Sequence, residues 1–174
     1  MSRAGQEQDL GDLVLVRACA EDLDLLLQIE QESFAGQRAW TRKMFEAELT
    51  GNRFSRIVVA VQERRDETSR TSGEPGSRRC VGYGCYWVVF EELRVMNVAV
   101  IPAMRRRGIG RRLVEQALAD GRAQGAHKAL LEVRAANEGA IRLYEQAGFR
   151  QVGVRRAYYD KPVDDAILME KQPL

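Results

Sequence analysis

The order of secondary structure is decided by residues 93–112, LRVMNVAVIPAMRRRGIGRR. The first part, Leu93 to Val100, is rich in β-branched and apolar residues and predicts a strand, which Pro102 closes because proline cannot donate to a strand ladder. Two glycines then form a turn. Beyond them, apolar side chains recur on one helical face at Ile109, Leu113, Ala117 and Leu118. A strand, a glycine-rich turn and a helix in this order predict a strand–helix–strand unit with parallel strands.

Downstream of this stretch, the chain predicts the second half of that unit and a closing hairpin. A strand over Ala129–Arg134 leads to a helix that Asn137 caps and that stops at Gly148. The hairpin follows, with strands over Gln151–Tyr159 and Ala166–Glu170.

Upstream, the chain predicts two helices and three strands. Thr41 caps the second helix, and Trp40 and Phe45 are spaced to pack on each other as a hydrophobic staple. The first helix carries four residues at helical spacing, Leu23, Leu26, Leu27 and Glu30. The strands cover Leu13–Arg17, Arg56–Val61 and Cys80–Val89. Antiparallel strands before one strand–helix–strand unit indicate a mixed α/β domain, parallel only in its second half.

Length and composition indicate a single domain. The chain has 174 residues, of which 45% are hydrophobic and 30% are charged, so it can bury a core and is not disordered as a whole. We expect one domain over residues 13–171, preceded by a polar tail at 1–12. Residues 63–79 are charged and rich in Ser, Gly and Thr, and strands resume directly after them. This predicts a long flexible hairpin connection rather than a linker between domains.

Charge, hydropathy and cysteine usage exclude several classes of protein. The formal net charge is only +2, which gives no reason to expect a nucleic-acid partner. The apolar run Val81–Phe90 is far shorter than the roughly 20 residues that span a bilayer. The three cysteines, Cys19, Cys80 and Cys85, do not form a disulfide framework, and no cluster has metal-ligand spacing. We therefore expect a cytoplasmic protein with no metal and no membrane partner.

The turn after the strand concentrates positive charge. Five arginines fall within eight positions, at 105, 106, 107, 111 and 112, and Gly108 and Gly110 allow backbone amides to approach a ligand at φ > 0. Free amides at a helix N-terminus attract anions, and arginines add charge-assisted hydrogen bonds. The turn predicts an anion site, and an ordinary basic turn is the alternative.

Read with its neighbours, this stretch resembles the acetyl-CoA-binding motif of the GNAT N-acetyltransferase superfamily. Within that superfamily the chain is similar to the ribosomal-protein-alanine N-acetyltransferases of the RimI type. The resemblance covers about 93–169, with a weaker match over 34–49, and the connection at 63–79 is longer than the family's. The motifs that carry it are NVAVIP (97–102), RRGIGR (106–111), LEVRAAN (131–137), AIRLYEQAGF (140–149), RRAYY (155–159) and DAILM (165–169).

This resemblance implies a fold, an activity and a set of site residues. The implied fold is a mixed, mostly antiparallel sheet of about seven strands with about four helices, whose parallel strands splay at the acetyl-CoA site. The implied reaction is acetyl transfer from acetyl-CoA to the N-terminal alanine of a small-subunit ribosomal protein. Glu132 is then the general base, Tyr144 the general acid, and Tyr158 and Tyr159 wall the amine pocket. The implied acetyl-CoA contacts are Val98, Ala99, Val100, Arg106, Arg107, Gly108, Ile109, Gly110, Arg111 and Asn137.

The residues themselves leave alternatives to these roles. Glu132 shares a strand face with Leu130 and Arg134, so it is either a base in a partly buried site or a structural carboxylate paired with Arg134. Asn137 and Tyr144 are seven residues apart and point the same way along the predicted helix. Tyr144 is either an acid at the site or a core aromatic.

Two further functions remain open at this point. A GNAT enzyme can act on another amine, such as other protein N-termini, a lysine side chain or a small molecule. A non-catalytic module that binds RNA or the ribosome is the alternative from another class, although the arginines of the turn lack the interleaved aromatics that such a module uses.

Overall fold

The computed structural model describes residues 12–37, 39–63 and 78–174. The mixed α/β class predicted from the sequence is confirmed, and the described residues form seven strands and four α-helices. The elements are β1 (Asp12–Arg17), α1 (Leu23–Ser33), α2 (Arg42–Glu46), β2 (Ser55–Glu63), β3 (Arg78–Val89), β4 (Glu92–Val100), α3 (Ile109–Ala123), β5 (Lys128–Arg134), α4 (Glu138–Gln146), β6 (Arg150–Asp160) and β7 (Val163–Lys171). The predicted tail up to residue 11 and residues 64–77 of the predicted connection lie outside the described residues.

The strands form one sheet in the order β1-β2-β3-β4-β5-β7-β6. Four neighbouring pairs join strands that follow each other in the chain: β1–β2, β2–β3, β3–β4 and β6–β7. All four pairs are antiparallel. β5 and β7 are antiparallel as well, whereas β4 and β5 run parallel with α3 between them in the chain. In the described part of the chain, the parallel pairing therefore lies where the strand–helix–strand unit was predicted.

Helix ends follow the local signals of the sequence. The Thr41 hydroxyl accepts a hydrogen bond from the Met44 amide at 3.4 Å, and the rings of Trp40 and Phe45 pack with centroids 5.3 Å apart. α4 ends before Gly148, which has a φ of +91°. These contacts fix where each helix begins or ends relative to the sheet.

The core lies on both faces of the sheet. Two tyrosines of β3 show this, because Tyr83 donates a hydrogen bond to Glu30 of α1 while Tyr86 donates one to Asp120 of α3. Both tyrosines are at most 1% exposed. An odd spacing along a strand places side chains on opposite faces, so α1 covers one face and α3 the other.

Candidate active site

β4 and β5 pair over only four residues and then separate. Their register runs from Glu92 opposite Lys128 to Val95 opposite Leu131. β4 carries a bulge at the next residue, since Tyr86 of β3 pairs with Val95 and Cys85 pairs with Asn97. Within the described chain, residues 97–100 of β4 pair only with β3, and residues 132–134 of β5 pair only with β7. We call the gap between these two segments the β4–β5 opening.

Three residues implied as acetyl-CoA contacts lie along the β4 side of this opening. Val98 and Val100 are partly buried, and Ala99 is 3% exposed. Because a strand without a partner leaves backbone amides and carbonyls free along that edge, this part of β4 can bind an extended ligand through its main chain.

The turn between β4 and α3 presents free amides. Arg106 has a φ of +62° and Gly108 a φ of +80°, while Gly110 lies inside α3 and does not take the positive φ expected from the sequence. A Cβ on Gly110 would lie 3.2 Å from Cδ2 of Leu143, so the glycine serves close packing of α3 on α4. The amides of Ile109, Gly110 and Arg111 have no acceptor among the described residues.

Three of the five arginines of the turn have partners, and two have none among the described residues. Arg105 is structural, because its guanidinium donates to the carbonyl of Val100 at 3.0 Å and to that of Ser33 at 2.8 Å. Arg106 and Arg107 are exposed and pair with no carboxylate of the described chain. Arg111 is exposed and pairs with Glu115 at 2.7 Å, which raises the pKa of Arg111. Arg112 donates to the Leu13 carbonyl at 3.0 Å, so Arg106 and Arg107 are the two arginines of the turn without a partner among the described residues.

Asn137 and Tyr144 lie on α4 as predicted, in different environments. Asn137 is exposed, and its side-chain oxygen accepts the Ala140 amide at 3.1 Å as the N-cap of the helix. Tyr144 is 7% exposed, and its ring meets that of Phe149 edge to face. Its hydroxyl has no hydrogen-bond partner in the described chain, and burial raises the pKa of Tyr144. The phenol is therefore a protonated donor without an internal acceptor.

Glu132 lies where β5 begins to separate from β4, and it pairs across the sheet. Its carboxylate accepts a hydrogen bond from Arg155 of β6 at 2.6 Å, and its side chain is 33% exposed. Arg134, which the sequence offered as the structural partner, instead donates to the carbonyls of Lys161 and Pro162. Glu132 is thus neither paired with Arg134 nor enclosed in an apolar pocket.

Tyr158 and Tyr159 lie beside Glu132 because β6 bulges there. Arg155 pairs with Ala166 and Tyr159 with Asp164, so three residues of β6 face Asp165 alone. Asp165 accepts the Ala157 amide at 2.8 Å and the Arg156 guanidinium at 2.7 Å, which lowers the pKa of Asp165. This carboxylate holds the bulge in shape.

The two tyrosines connect the candidate catalytic residues. Their rings pack edge to face with centroids 5.1 Å apart, and the Arg134 guanidinium lies 4.0 Å from the centre of the Tyr159 ring. Hydrogen bonding to Glu132 raises the pKa of Tyr158. Burial raises the pKa of Tyr159, which interacts electrostatically with both Glu132 and Tyr144. Glu132, Tyr144, Tyr158 and Tyr159 therefore form one neighbourhood.

Two residues of this region were not assigned to the site from the sequence. Arg155 is the partner of Glu132, and its only sequence signal is its place in the RRAYY motif. Glu30 is 1% exposed and lies on the apolar side of α1. A carboxylate at helical spacing with Leu26 is the signal that could have singled it out.

Other functional features are scarce in the part of the chain that the structure describes. It contains no group of three residues suited to hold a metal ion. None of its helices is long and apolar enough to cross a membrane. A groove of about 480 Å³ lies between β1 and α3, and none of the predicted site residues lines it.

Comparisons with known proteins agree with this geometry. The profile of the acetyltransferase (GNAT) family matches residues 23–149. A [ribosomal protein bS18]-alanine N-acetyltransferase of Salmonella typhimurium is 33% identical over 150 residues, which is 85% of this chain and 89% of that protein. The crystal structure of the ribosomal-protein-S18-alanine N-acetyltransferase from Escherichia coli superposes with a TM-score of 0.75 at 27% identity, over 92% of this chain and 94% of that one.

A more distant structure shares the fold alone. Arabidopsis thaliana NAA60, solved in complex with acetyl-CoA, has a TM-score of 0.76 at 18% identity and covers 92% of this chain and 98% of its own. The splayed mixed sheet implied by the sequence resemblance is thereby confirmed. The family profile spans well over half of the chain, so the protein belongs to the acetyltransferase (GNAT) family.

Proposed function

We propose that the protein is an N-α-acetyltransferase that moves an acetyl group from acetyl-CoA to the N-terminal alanine of ribosomal protein bS18. The observation that carries this proposal is the β4–β5 opening. It has the free amides of the α3 turn at the end of β4, and it has Glu132 with its neighbouring tyrosines on the β5 side.

The donor set fits acetyl-CoA. Pyrophosphate needs several N–H donors and positive charge, and the turn supplies the unpaired amides of 109–111 together with Arg106 and Arg107. Ile109 is 1% exposed and offers only its amide. The edge of β4 over Val98, Ala99 and Val100 that lacks a strand partner accommodates the extended pantetheine arm, although Arg105 already binds the Val100 carbonyl, and the side chain of Asn137 lies at the start of α4.

Acetyl-CoA supplies an activated thioester, and the protein residues orient it and handle the proton. Backbone amides near Val98 polarise the carbonyl and stabilise the negative charge that develops on its oxygen. An α-amine has a pKa of about 7.7–8.0, so about a tenth of it is already the free nucleophile at neutral pH. Glu132 accepts the proton that the nitrogen loses when the amide bond forms.

Tyr144 stabilises the leaving sulfur. A phenol of pKa about 10 is a weaker acid than a thiol of about 8.5, by roughly 2 kcal/mol. Burial raises the pKa of Tyr144 further, which adds to that difference. Tyr144 therefore donates a hydrogen bond to the developing thiolate rather than transferring its proton fully.

The acceptor is proposed from the relatives and from the pocket. The Salmonella typhimurium protein, at 33% identity, is named for the alanine of ribosomal protein bS18. Tyr158 and Tyr159 lie beside Glu132, where an incoming amine would have to meet the base. The two rings pack on each other with centroids 5.1 Å apart, and we expect them to limit the size of the first residue of the acceptor.

Mass spectrometry of three peptides incubated with acetyl-CoA tests the proposal. The first copies the bS18 N-terminus with a free alanine, the second has the same sequence with a blocked terminus and an internal lysine, and the third replaces the first alanine by phenylalanine. We expect acetylation of the alanine amine alone. Modification of the lysine or an equal rate with phenylalanine would contradict the proposed acceptor, and no reaction with any of them would contradict the activity.

A further inference from the structure

Glu30 is a buried carboxylate that joins three parts of the fold. It lies on α1 and is 1% exposed. Oε1 accepts the backbone amide of Trp40, which precedes α2, at 2.7 Å. Oε2 accepts the hydroxyl of Tyr83 on β3. The side-chain nitrogen of Asn97 on β4 lies 3.4 and 3.5 Å from the two oxygens and donates to the Tyr83 hydroxyl at 2.8 Å.

This carboxylate connects segments that an apolar side chain would leave unconnected. Burial raises the pKa of Glu30. Replacing Glu30 alone leaves the Trp40 amide and the Tyr83 hydroxyl without this acceptor, which lowers stability, so a test has to distinguish an effect on kinetics from an effect on stability. What an apolar residue cannot supply is an acceptor for the Trp40 amide.

The network lies where the α1–α2 region meets the β4–β5 opening. Asn97 is the first residue of β4 beyond the bulge, where β4 has lost its β5 partner. Arg105 ties the end of α1 to the same strand, by joining the carbonyls of Ser33 and Val100. The Trp40 ring packs on Phe45, which packs on Tyr83. Trp40 is therefore joined to the free part of β4 through the Glu30 carboxylate and to β3 through the aromatic stack.

We propose that Glu30 is a positioning residue for acetyl transfer, which holds residues 39–41 at a fixed distance from the free part of β4 through the Trp40 amide. It touches neither substrate nor the reacting atoms. Through Asn97 it also contacts the free part of β4, and we expect it to affect the approach of the acceptor amine by this route. The inference rests on the proposed function for its kinetic readout only.

Two substitutions of Glu30 distinguish the anchoring of the Trp40 amide from the charge and the volume of the side chain. Glu30→Met keeps the length of the side chain and removes every acceptor oxygen. Glu30→Gln keeps one oxygen for the Trp40 amide and removes the charge. The chain also offers a matched control, because Asp120 of α3 accepts a hydrogen bond from Tyr86 on the opposite face of the sheet. Asp120→Leu removes every acceptor oxygen from an equivalent tyrosine–carboxylate contact away from residues 39–41.

Kinetics and hydrogen exchange are measured on all four proteins. We expect Glu30→Met to lower kcat/KM for the alanine peptide by about tenfold, since small misplacements of reacting groups have effects of this order or more. Its Kd for acetyl-CoA should stay within about twofold, because the amides of 109–111 are untouched, and Glu30→Gln should recover most of the loss. Asp120→Leu should keep the wild-type kcat/KM. The Trp40 amide should lose its protection from exchange in Glu30→Met alone.

The inference is overturned if Glu30→Met keeps the wild-type kcat/KM, or if Asp120→Leu loses as much activity as Glu30→Met. It is also overturned if the Trp40 amide stays protected. If the wild type acetylates no peptide, the proposed function fails by itself. Exchange at Trp40 then still decides whether Glu30 anchors this segment.

Discussion

The Glu132 side chain is 33% exposed, and exposed ion pairs such as the one with Arg155 contribute little to stability. Substitution of Glu132 should therefore change the reaction rate and leave the stability of the fold nearly unchanged. Glu132→Gln should lower kcat by about a hundredfold, which is the lower range for loss of a general base. Tyr144→Phe should lower kcat as well, and both variants should bind acetyl-CoA as the wild type does. Stopped assays with saturating acetyl-CoA measure kcat, and calorimetry measures the Kd.

A matched control for this prediction lies on α4. Glu138 is exposed and pairs with Arg142 at 3.0 Å, much as Glu132 pairs with Arg155. Glu138→Gln should leave kcat unchanged. Full turnover in both Glu132→Gln and Tyr144→Phe would show that other groups move the proton.

The buried phenol of Tyr144 makes a prediction about pH. Its pKa is raised above the ordinary value of about 10, so the hydroxyl keeps its proton as the pH rises. The ratio of wild-type kcat to that of Tyr144→Phe should therefore stay constant from about pH 8 to about pH 10. Taking a ratio cancels the titration of the acceptor amine. A ratio that falls towards the alkaline end would mean that Tyr144 titrates within this range.

Residue pairings were harder to predict than residue types. Glu132 was singled out from its place on an apolar strand, but its partner Arg155 lies on β6, two strands away in the sheet order. Arg134 is nearer in sequence and was the natural candidate, yet two backbone carbonyls bind it instead. Side-chain partners across a sheet depend on strand order, which periodicity does not contain.

At the level of elements, alanine substitutions at two glycines distinguish the effect of backbone strain from the effect on ligand binding. Gly108 and Gly125 have φ of +80° and +84°, and a Cβ would meet nothing within 4 Å at either position. Alanine at each position should therefore lower the free energy of unfolding by about 1 kcal/mol through backbone strain. Only Gly108→Ala should also weaken acetyl-CoA binding, by about tenfold or 1.4 kcal/mol. Chemical denaturation and calorimetry measure the two effects, and equal Kd values for both variants would contradict the anion site.

The elements themselves were predicted well because their signals are local. Thr41 and Asn137 cap helices through their own side chains, and Gly148 ends α4 with a positive φ. The positive φ expected at Gly110 was wrong, since that glycine is inside α3 and Arg106 takes the second left-handed conformation. A pattern of glycines indicates that a turn contains residues with positive φ. Which residues take the positive φ depends on how the neighbouring helices pack.

For the whole molecule, binding of acetyl-CoA should increase the stability of the folded protein. A ligand that binds only the folded state at about 100 times its Kd adds about 2.7 kcal/mol. For a domain of this size, we expect acetyl-CoA to raise Tm by about 5–10 °C. Thermal denaturation with and without acetyl-CoA measures this. Glu132→Gln should show the full increase and Gly108→Ala a smaller one; the absence of an increase in the wild type would contradict acetyl-CoA binding.

The four-residue seam between β4 and β5 has a mechanical consequence. It divides the sheet into two plates, one of β1 to β4 and one of β5, β7 and β6, which the ladder joins only from Glu92 to Val95. Buried side chains of both parts nevertheless belong to one hydrophobic core, which contains Leu93 and Val95 of β4 as well as Leu131 and Val133 of β5. Widening the slot would therefore separate packed side chains as well as backbone hydrogen bonds, so the close-packed core sets the width of the slot before any ligand arrives.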